Sequence, residues 1–458
     1  MMGKGAAIMF CFLVITAILF AQPPDTMWTR QYDCLYCEVG RAVQVTHDGG
    51  FIIVGSTGTT YQVRDIYLVR TDANGDTLWT RRFGGSGDER SWSGVQTTDR
   101  GFAIGGYTES FGAGDYDFYL VKTDSVGDTL WTRTYGGPGE DACFSVQQTF
   151  DNGFIMAGRT ESFGAGDYDF YAVKTDSNGD TLWTRTYGGT EKDICAAVQQ
   201  TNDSGYIFVG GTESYGDTIY DAYIIKTDML GDTLWTKKYG GHDMDVGRAV
   251  QQTFDNGYII AGYTCSYGQG LDVYLLRTDT NGDTLWARVW GGTSAERGIS
   301  VVEMPDGNFA VACDDYRDYG VYNDCDIWLL KVDTNGDTLW TTWFGDSLHD
   351  DDAGAIVRTS DGGYAIVGTR SPYASTSNDF YLVRTTPDPL GIREHWVSPI
   401  VDNLLGPTIF SGTLVLPEEK NCRIFDITGR VVSPDKMRPG IYFIEIDGQI
   451  SKKVVKVK

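Results

Sequence analysis

The string "TDSNGDTLWTR", Thr175 to Arg185, returns along the chain with few changes, and that recurrence narrows the folds open to it. The Trp of each copy falls at Trp79, Trp131, Trp183, Trp235, Trp286 and Trp340, separated by 52, 52, 52, 51 and 54 residues. A seventh copy, "DTMWTR", carries Trp28, 51 residues before Trp79. Units of this length with several strands each build solenoids or propellers. Four short strands can be read in every unit; from Trp131 they are "LWTRTY", "CFSVQQT", "FIMAGRT" and "DFYAVKTD". The stretches between them, "GGPGED", "FDNG", "ESFGAGDY" and "DSNGD", are turn formers. Seven units of four antiparallel strands predict an all-β fold, a seven-bladed β-propeller over residues 22–389.

The two ends of the repeat array fit one another. The last unit finishes "DFYLVRTTPDPLG" with no "GDTLW" after it, while the first opens on a lone Trp strand. The N-terminal strand is therefore expected to complete the last blade, and closure removes the sheet edges that would invite aggregation. Within the opening string, Asp176 to Asp180 reads as a hairpin turn, because Asn178 and Gly179 tolerate positive φ and Asp caps neighbouring amides. Trp183, Arg185 and Tyr187 then share one face of the following strand. A buried Trp removes about 200 Å² from water, worth up to about 5 kcal/mol, so the repeated Trp reads as a packing device. A second recurrence, Asp two residues before an aromatic (Asp65, Asp117, Asp169, Asp221, Asp272, Asp326 and Asp379), reads as a turn closed on backbone amides.

Composition agrees with strands and turns: 58 Gly, 27 Tyr, 21 Phe and 12 Trp. A formal charge of −25 excludes a phosphate-backbone partner such as nucleic acid. The apolar run Ala6 to Ala21 behind Lys4 reads as a secretory signal peptide over residues 1–21, cleaved before Gln22, which leaves no transmembrane segment in the mature chain. Export makes disulfides admissible, and Cys313 and Cys325, flanking one loop, are expected to pair. A redox role for the Cys34/Cys37 CxxC is the alternative use of thiols, whereas Cys143 and Cys195 occupy equivalent small strand positions.

The Trp stretch resembles two propeller motifs. It is similar to the tryptophan-docking motif of quinoprotein propellers, with Asp176 to Gly179 one residue shorter, and to the Asp-box of sialidase-like propellers, with Gly179 to Trp183 one residue longer. Both resemblances imply a propeller; neither transfers a quinone site or a sialidase site, and no inner-strand Arg cluster is evident. From Pro23 to Thr386 the chain resembles secreted bacterial propeller-repeat proteins. After a linker at 390–397, residues 398–458 carry "IFDITGRVV", "RPGIYFIEI" and a basic last strand. They look like the C-terminal sorting domain of the type IX secretion system, although the family's opening Pro-Asn-Pro is reduced to Pro399. That resemblance implies a small β-sandwich, the type IX machinery as partner, and a secreted or outer-membrane-surface location; an accessory β-domain is the alternative. The segment from Leu390 on has ten Lys+Arg against eight Asp+Glu, opposite in sign to the rest.

No catalytic set stands out. His47, His242, His349 and His395 fall in different units or modules, and no phosphate loop or nucleophile elbow occurs. Strand order puts the long "YGGPGED" and "ESFGAGDYD" loops on one face, where the repeat breaks in units one, six and seven. This sector is expected to expose Tyr316, Tyr319, Tyr322 and Tyr373 to a glycan or protein ligand. An acid recurs ten positions after each Trp: Glu38, Glu89, Asp141, Asp193, Asp245, Glu296 and Asp350. These are expected either to cap amides where the first strand begins or to form a carboxylate ring at the channel mouth. In the second case Asp350, Asp351 and Asp352 would hold Ca²⁺, whose shell is built from oxygens. The expected function is a binding or scaffolding module, with an extracellular glycan hydrolase or lyase using loop-face carboxylates as the rival.

Overall fold

The computed structural model describes residues 22–32, 37–58, 63–215, 219–318, 323–373 and 377–388, and in the C-terminal part 409–410, 422–426, 430–433, 440–446 and 449–456. The signal-peptide segment, Cys34, Tyr319 and Tyr322 lie outside these residues. The chain divides into two compact units, Met1–Arg393 and Glu394–Lys458.

The first unit is a seven-bladed β-propeller. Six four-stranded antiparallel sheets run in chain order, and the seventh is assembled from both ends of the repeat array. Strand Thr26–Tyr32 pairs with Asp379–Thr385, Tyr32 opposite Phe380 and Thr29 opposite Val383. Past the end of this pair, Thr386 N–H donates to Asp25 O at 2.8 Å, so the closure is bonded from the first residues onward.

Each sheet shows why its sequence reads as it does. The middle strands are covered on both faces by the neighbouring blades, so they run apolar without alternation: every residue of "FIIV", Phe51 to Val54, is buried. Ile52, Val54, Ile66 and Leu68 of the first blade pack against Phe102, Ile104, Tyr119 and Val121 of the second. The outer strands face solvent on one side and alternate, as in "TLWTRTY" from Thr181. Beneath the sheets, buried Lys122, Lys174 and Lys226 each reach the Asp of a hairpin turn, at 2.8 Å to Asp99 and 2.9 Å to Asp151 and Asp203.

The recurring Trp clasps the next blade. Trp131 lies over Gly179, where an added Cβ would stand 2.8 Å from the ring, and Trp28 lies over Gly75 in the same way. Gly179 has φ +81°, the left-handed conformation that the turn demands. Asp176 Oδ1 accepts the N–H of Asn178 at 2.8 Å and of Asp180 at 2.9 Å, and Tyr135 Oη donates to Gly179 O at 2.6 Å. Arg185 stacks on Trp183, its guanidinium carbon 5.7 Å from the ring centre. Turn, Trp, Arg and Tyr are thus one inter-blade joint. The Asp before the third-strand aromatic closes a turn on backbone amides in blades two, three and five. Asp117 Oδ2 accepts the N–H of Ala113 at 2.7 Å and of Gly114 at 3.2 Å, and Asp169 does the same with Ala165 and Gly166. Asp272 accepts the N–H of Gly270, whereas Asp221 takes Lys238 Nζ at 2.9 Å.

Two expectations are corrected in blade six. Cys313 stands opposite Trp328 and Cys325 opposite Tyr316. They are three rungs apart, about 10 Å along the strands, and an odd rung difference points them to opposite faces. A disulfide needs Cα atoms within about 7 Å; both thiols are free and buried. Tyr316 is not on a loop either, because the repeat break lengthens the strands themselves to Phe309–Asp318 and Asn323–Val332.

In the second unit the described residues form one mixed sheet. Gly440–Ile446 lies between Cys422–Asp426 and Gln449–Lys456, both antiparallel to it, and Ile409–Phe410 adds in parallel to the last. The expectation of a sandwich with a second layer falls on residues outside the described ones. Among the described residues, no helix is long and apolar enough to cross a membrane.

Candidate functional site

The innermost strand of every blade carries a β-bulge at one repeated place. Register shifts between Gly40/Ala42, Ser91/Ser93, Cys143/Ser145, Cys195/Ala197, Gly247/Ala249, Gly298/Ser300 and Ala353/Ala355. The unpaired residues are Arg41, Trp92, Phe144, Ala196, Arg248, Ile299 and Gly354, and all seven line a single central cavity of about 510 Å³. A bulge re-aims one side chain away from its sheet; sevenfold repetition aims seven at the propeller axis. Small residues flank each bulge because the inner strands crowd there: a Cβ on Gly247 would stand 2.3 Å from Val209. Cys143 and Cys195 fill this small position, buried and free, as expected.

The cavity has two kinds of wall. Trp92 and Phe144 meet edge-to-face, ring centres 5.2 Å apart, on blades two and three. Blades five, six and one contribute Arg248, Arg297 and Arg41. Burial, and then the neighbouring Arg248, pulls the Arg41 pKa below its ordinary value. Arg297 also lies over the Tyr316 ring, 4.9 Å from its centre, with Nε buried and making no hydrogen bond.

Between blades six and seven, Asp314, Cys325 and Asp352 bring one ligand-type atom each within 4.8 Å of one another. Tyr316 Oη donates to Asp352 Oδ1 at 3.0 Å, and Ala353 N–H donates to Asp314 Oδ1 at 2.7 Å. Burial, then Asp352, pushes Asp314 up to about 7, and burial followed by the two carboxylates raises the Cys325 thiol well above its usual range. The donor set of two carboxylates and a thiol could hold a cation. The field of Arg41, Arg248 and Arg297 beside it opposes a metal ion, whereas burial and Asp352 hold a proton on Asp314 against that field.

The sequence-derived candidates separate. Tyr316 lines the cavity, whereas Tyr373 is a half-exposed residue whose N–H donates to Leu348 O at 3.3 Å. Asp350, Asp351 and Asp352 do not form one calcium site, because successive strand residues point to opposite faces. Asp350 Oδ1 accepts the Cys325 N–H at 3.1 Å, Asp351 is held by Arg370 at 2.7 and 2.8 Å, and Asp352 takes Tyr316. The recurring acids are buried caps: Glu38, Glu89, Asp141, Asp193 and Asp245 are fully enclosed and Glu296 nearly so. Asp141 Oδ2 accepts Gly137 N–H and Ser162 Oγ–H, both at 2.7 Å, and Glu89 Oε1 takes Thr108 Oγ1–H at 2.7 Å. The seventh member is Asp351 rather than Asp350, since Asp351 lies two residues before the bulge-flanking Ala353, as Asp141 lies before Cys143.

What sequence reading missed was the arginine cluster and the aromatic wall opposite. A usable signal existed: between two small residues, the third position after each capping acid changes freely in an otherwise regular repeat.

No protein-family model matches the chain. Among curated proteins it is similar to the regulatory protein FlaEY of Caulobacter vibrioides, 26% identical over 174 aligned residues that take in 31% of this chain and 18% of that protein. The chain therefore spans less than a fifth of that relative's length. Among solved structures it is similar to Sqt1 from Chaetomium thermophilum, with TM-score 0.44, 11% identity and coverage of 80% of this chain and 87% of that one. It is also similar to the β-propeller domain of the Trilobed protease from Pyrococcus furiosus, with TM-score 0.40, 8% identity, and 78% and 94% covered. A gluconolactonase from Xanthomonas campestris gives TM-score 0.37, 8% identity, and 80% and 99% covered. These likenesses concern fold alone.

Proposed function

We propose that the protein is a secreted or cell-surface binding module whose ligand docks in the central channel. The observation that supports this most is the set of seven bulges, which send the variable side chains of a regular repeat into one cavity. Channel chemistry and blade packing are thereby separated, as a recognition scaffold requires. Export is the companion proposal: residues 1–21 serve as signal peptide, and the C-terminal unit engages the type IX machinery. That reading is supported by its sequence resemblance and by strands at Cys422–Asp426 and Gly440–Ile446, inside the motifs that carry it.

A second reading, a glycan hydrolase or lyase, is favoured by one feature: Asp314 and Asp352 offer a proton-bearing acid beside a carboxylate at the channel wall. A glycan array and a hydrolase-substrate panel on the same sample discriminate the two. Binding without turnover, weakened by W92A, is the expected result. Turnover abolished by D314N would replace the binding module with the enzyme.

A further inference from the structure

Resting on the channel as the binding site, we infer what it binds: an anionic sugar unit, its oxyanion held by Arg41, Arg248 and Arg297 and its ring seated against Trp92 and Phe144. Many cations of the first unit are matched to acids: Arg81 to Asp128 at 3.1 Å and Arg185 to Asp232 at 3.1 Å, beside the buried lysines already described, and Arg159, which also lines the cavity, to Glu140 at 3.1 Å. Arg41, Arg248 and Arg297 stand together in one cavity, and no guanidinium ion pair is formed by any of them among the described residues. They are near enough to act on common groups, since Arg41 feels Arg248, and Asp314 feels both Arg297 and Arg248.

Three guanidinium groups gathered beside only Asp314 and Asp352, the former raised to about 7, leave positive charge in excess at the cavity wall, and a planar donor fork is the group suited to carboxylate or sulfate. The opposite wall is aromatic and the volume of about 510 Å³ suits a compact ligand. A peptide strand is disfavoured, because adding to an inner-strand edge needs a regular ladder and every inner strand is broken by its bulge. Carboxylated and sulfated sugars share the required chemistry.

Titration calorimetry on the full chain, at low and high salt, tests this with four probes: a glucuronate-containing oligosaccharide, glucose 6-sulfate, a neutral glucose oligosaccharide and a Glu-rich peptide. One or both anionic sugars are expected to bind, the neutral sugar at least about tenfold more weakly. R248A is expected to lower that affinity by about tenfold or more, R248K to recover part of it, and W92A to weaken it without changing the salt dependence. Arg248 faces the open channel, so melting curves of R248A and R248K separate lost binding from lost fold. Failure of both anionic sugars to bind, or binding indifferent to R248A, overturns the inference. Binding of the neutral sugar or peptide that W92A still abolishes overturns the ligand chemistry and leaves the channel module standing. Binding of any probe that neither variant affects overturns the channel reading as well.

Discussion

Tyr316 Oη donates to Asp352 Oδ1 across 3.0 Å, tying blade six to blade seven at the channel wall. Beside this bond, burial and Asp352 raise Asp314 to about 7. An acid raised in the fold contributes stability that is complete below its ordinary value of 3.8 and is lost as pH rises through about 7. The melting temperature of the wild type is therefore expected to fall between pH 5 and pH 8 more steeply than that of D314N. Parallel melting curves of the two proteins across this range would rule out a buried, proton-bearing Asp314.

The inter-blade joint makes a second prediction. Ala at Gly179 would force a left-handed φ of +81° and press a Cβ 2.8 Å from Trp131. G179A should cost about 1–3 kcal/mol, read in urea unfolding. A change below about 0.5 kcal/mol would mean that the turn relaxes away from the ring.

Ring closure depends on ten residues. Deleting Pro23 to Tyr32 strips strand Asp379–Thr385 of its outer partner and removes Trp28 from Gly75. The melting temperature should drop and concentration-dependent oligomers should form through the bare edge. Scattering and melting curves that match the full chain would show that the last blade is stable with three strands.

The free thiols of blade six predict indifference to reductant. Melting curves with and without dithiothreitol should coincide, and alkylation after non-reducing denaturation should label both Cys313 and Cys325. A peptide linking the two would contradict their register.

For the tail, deleting Ile424 to Lys458 is expected to leave the first unit folded while stopping surface delivery in a type IX-competent host. Normal export of the truncated chain would refute the sorting role.

The propeller was readable because its signals are local and repeated. The Trp period recurs in every unit and turn chemistry such as "DSNGD" in six of the seven, so an error in one blade is corrected by the others. The channel was not readable by the same means. Period-two alternation assigns Arg41 and Trp92 to a sheet face, but the extra residue of a bulge reverses that parity. A one-residue shift also misplaced the seventh capping acid: Asp351 follows Trp340 by eleven positions, where Asp141 follows Trp131 by ten. Cys313 and Cys325 show the converse limit, since flanking a loop in sequence says nothing about how many rungs a hairpin inserts between them.

Because each bulge residue sits between small neighbours and leaves its sheet's ladder, it can be exchanged without disturbing a blade's interior, except at Gly354, where an added Cβ would stand 2.6 Å from Gly40 O. The other six places around the axis then behave as slots on a fixed frame, and a change of ligand preference needs no redesign of the frame. Arg41, Trp92, Phe144, Ala196, Arg248 and Ile299 are one setting of that dial.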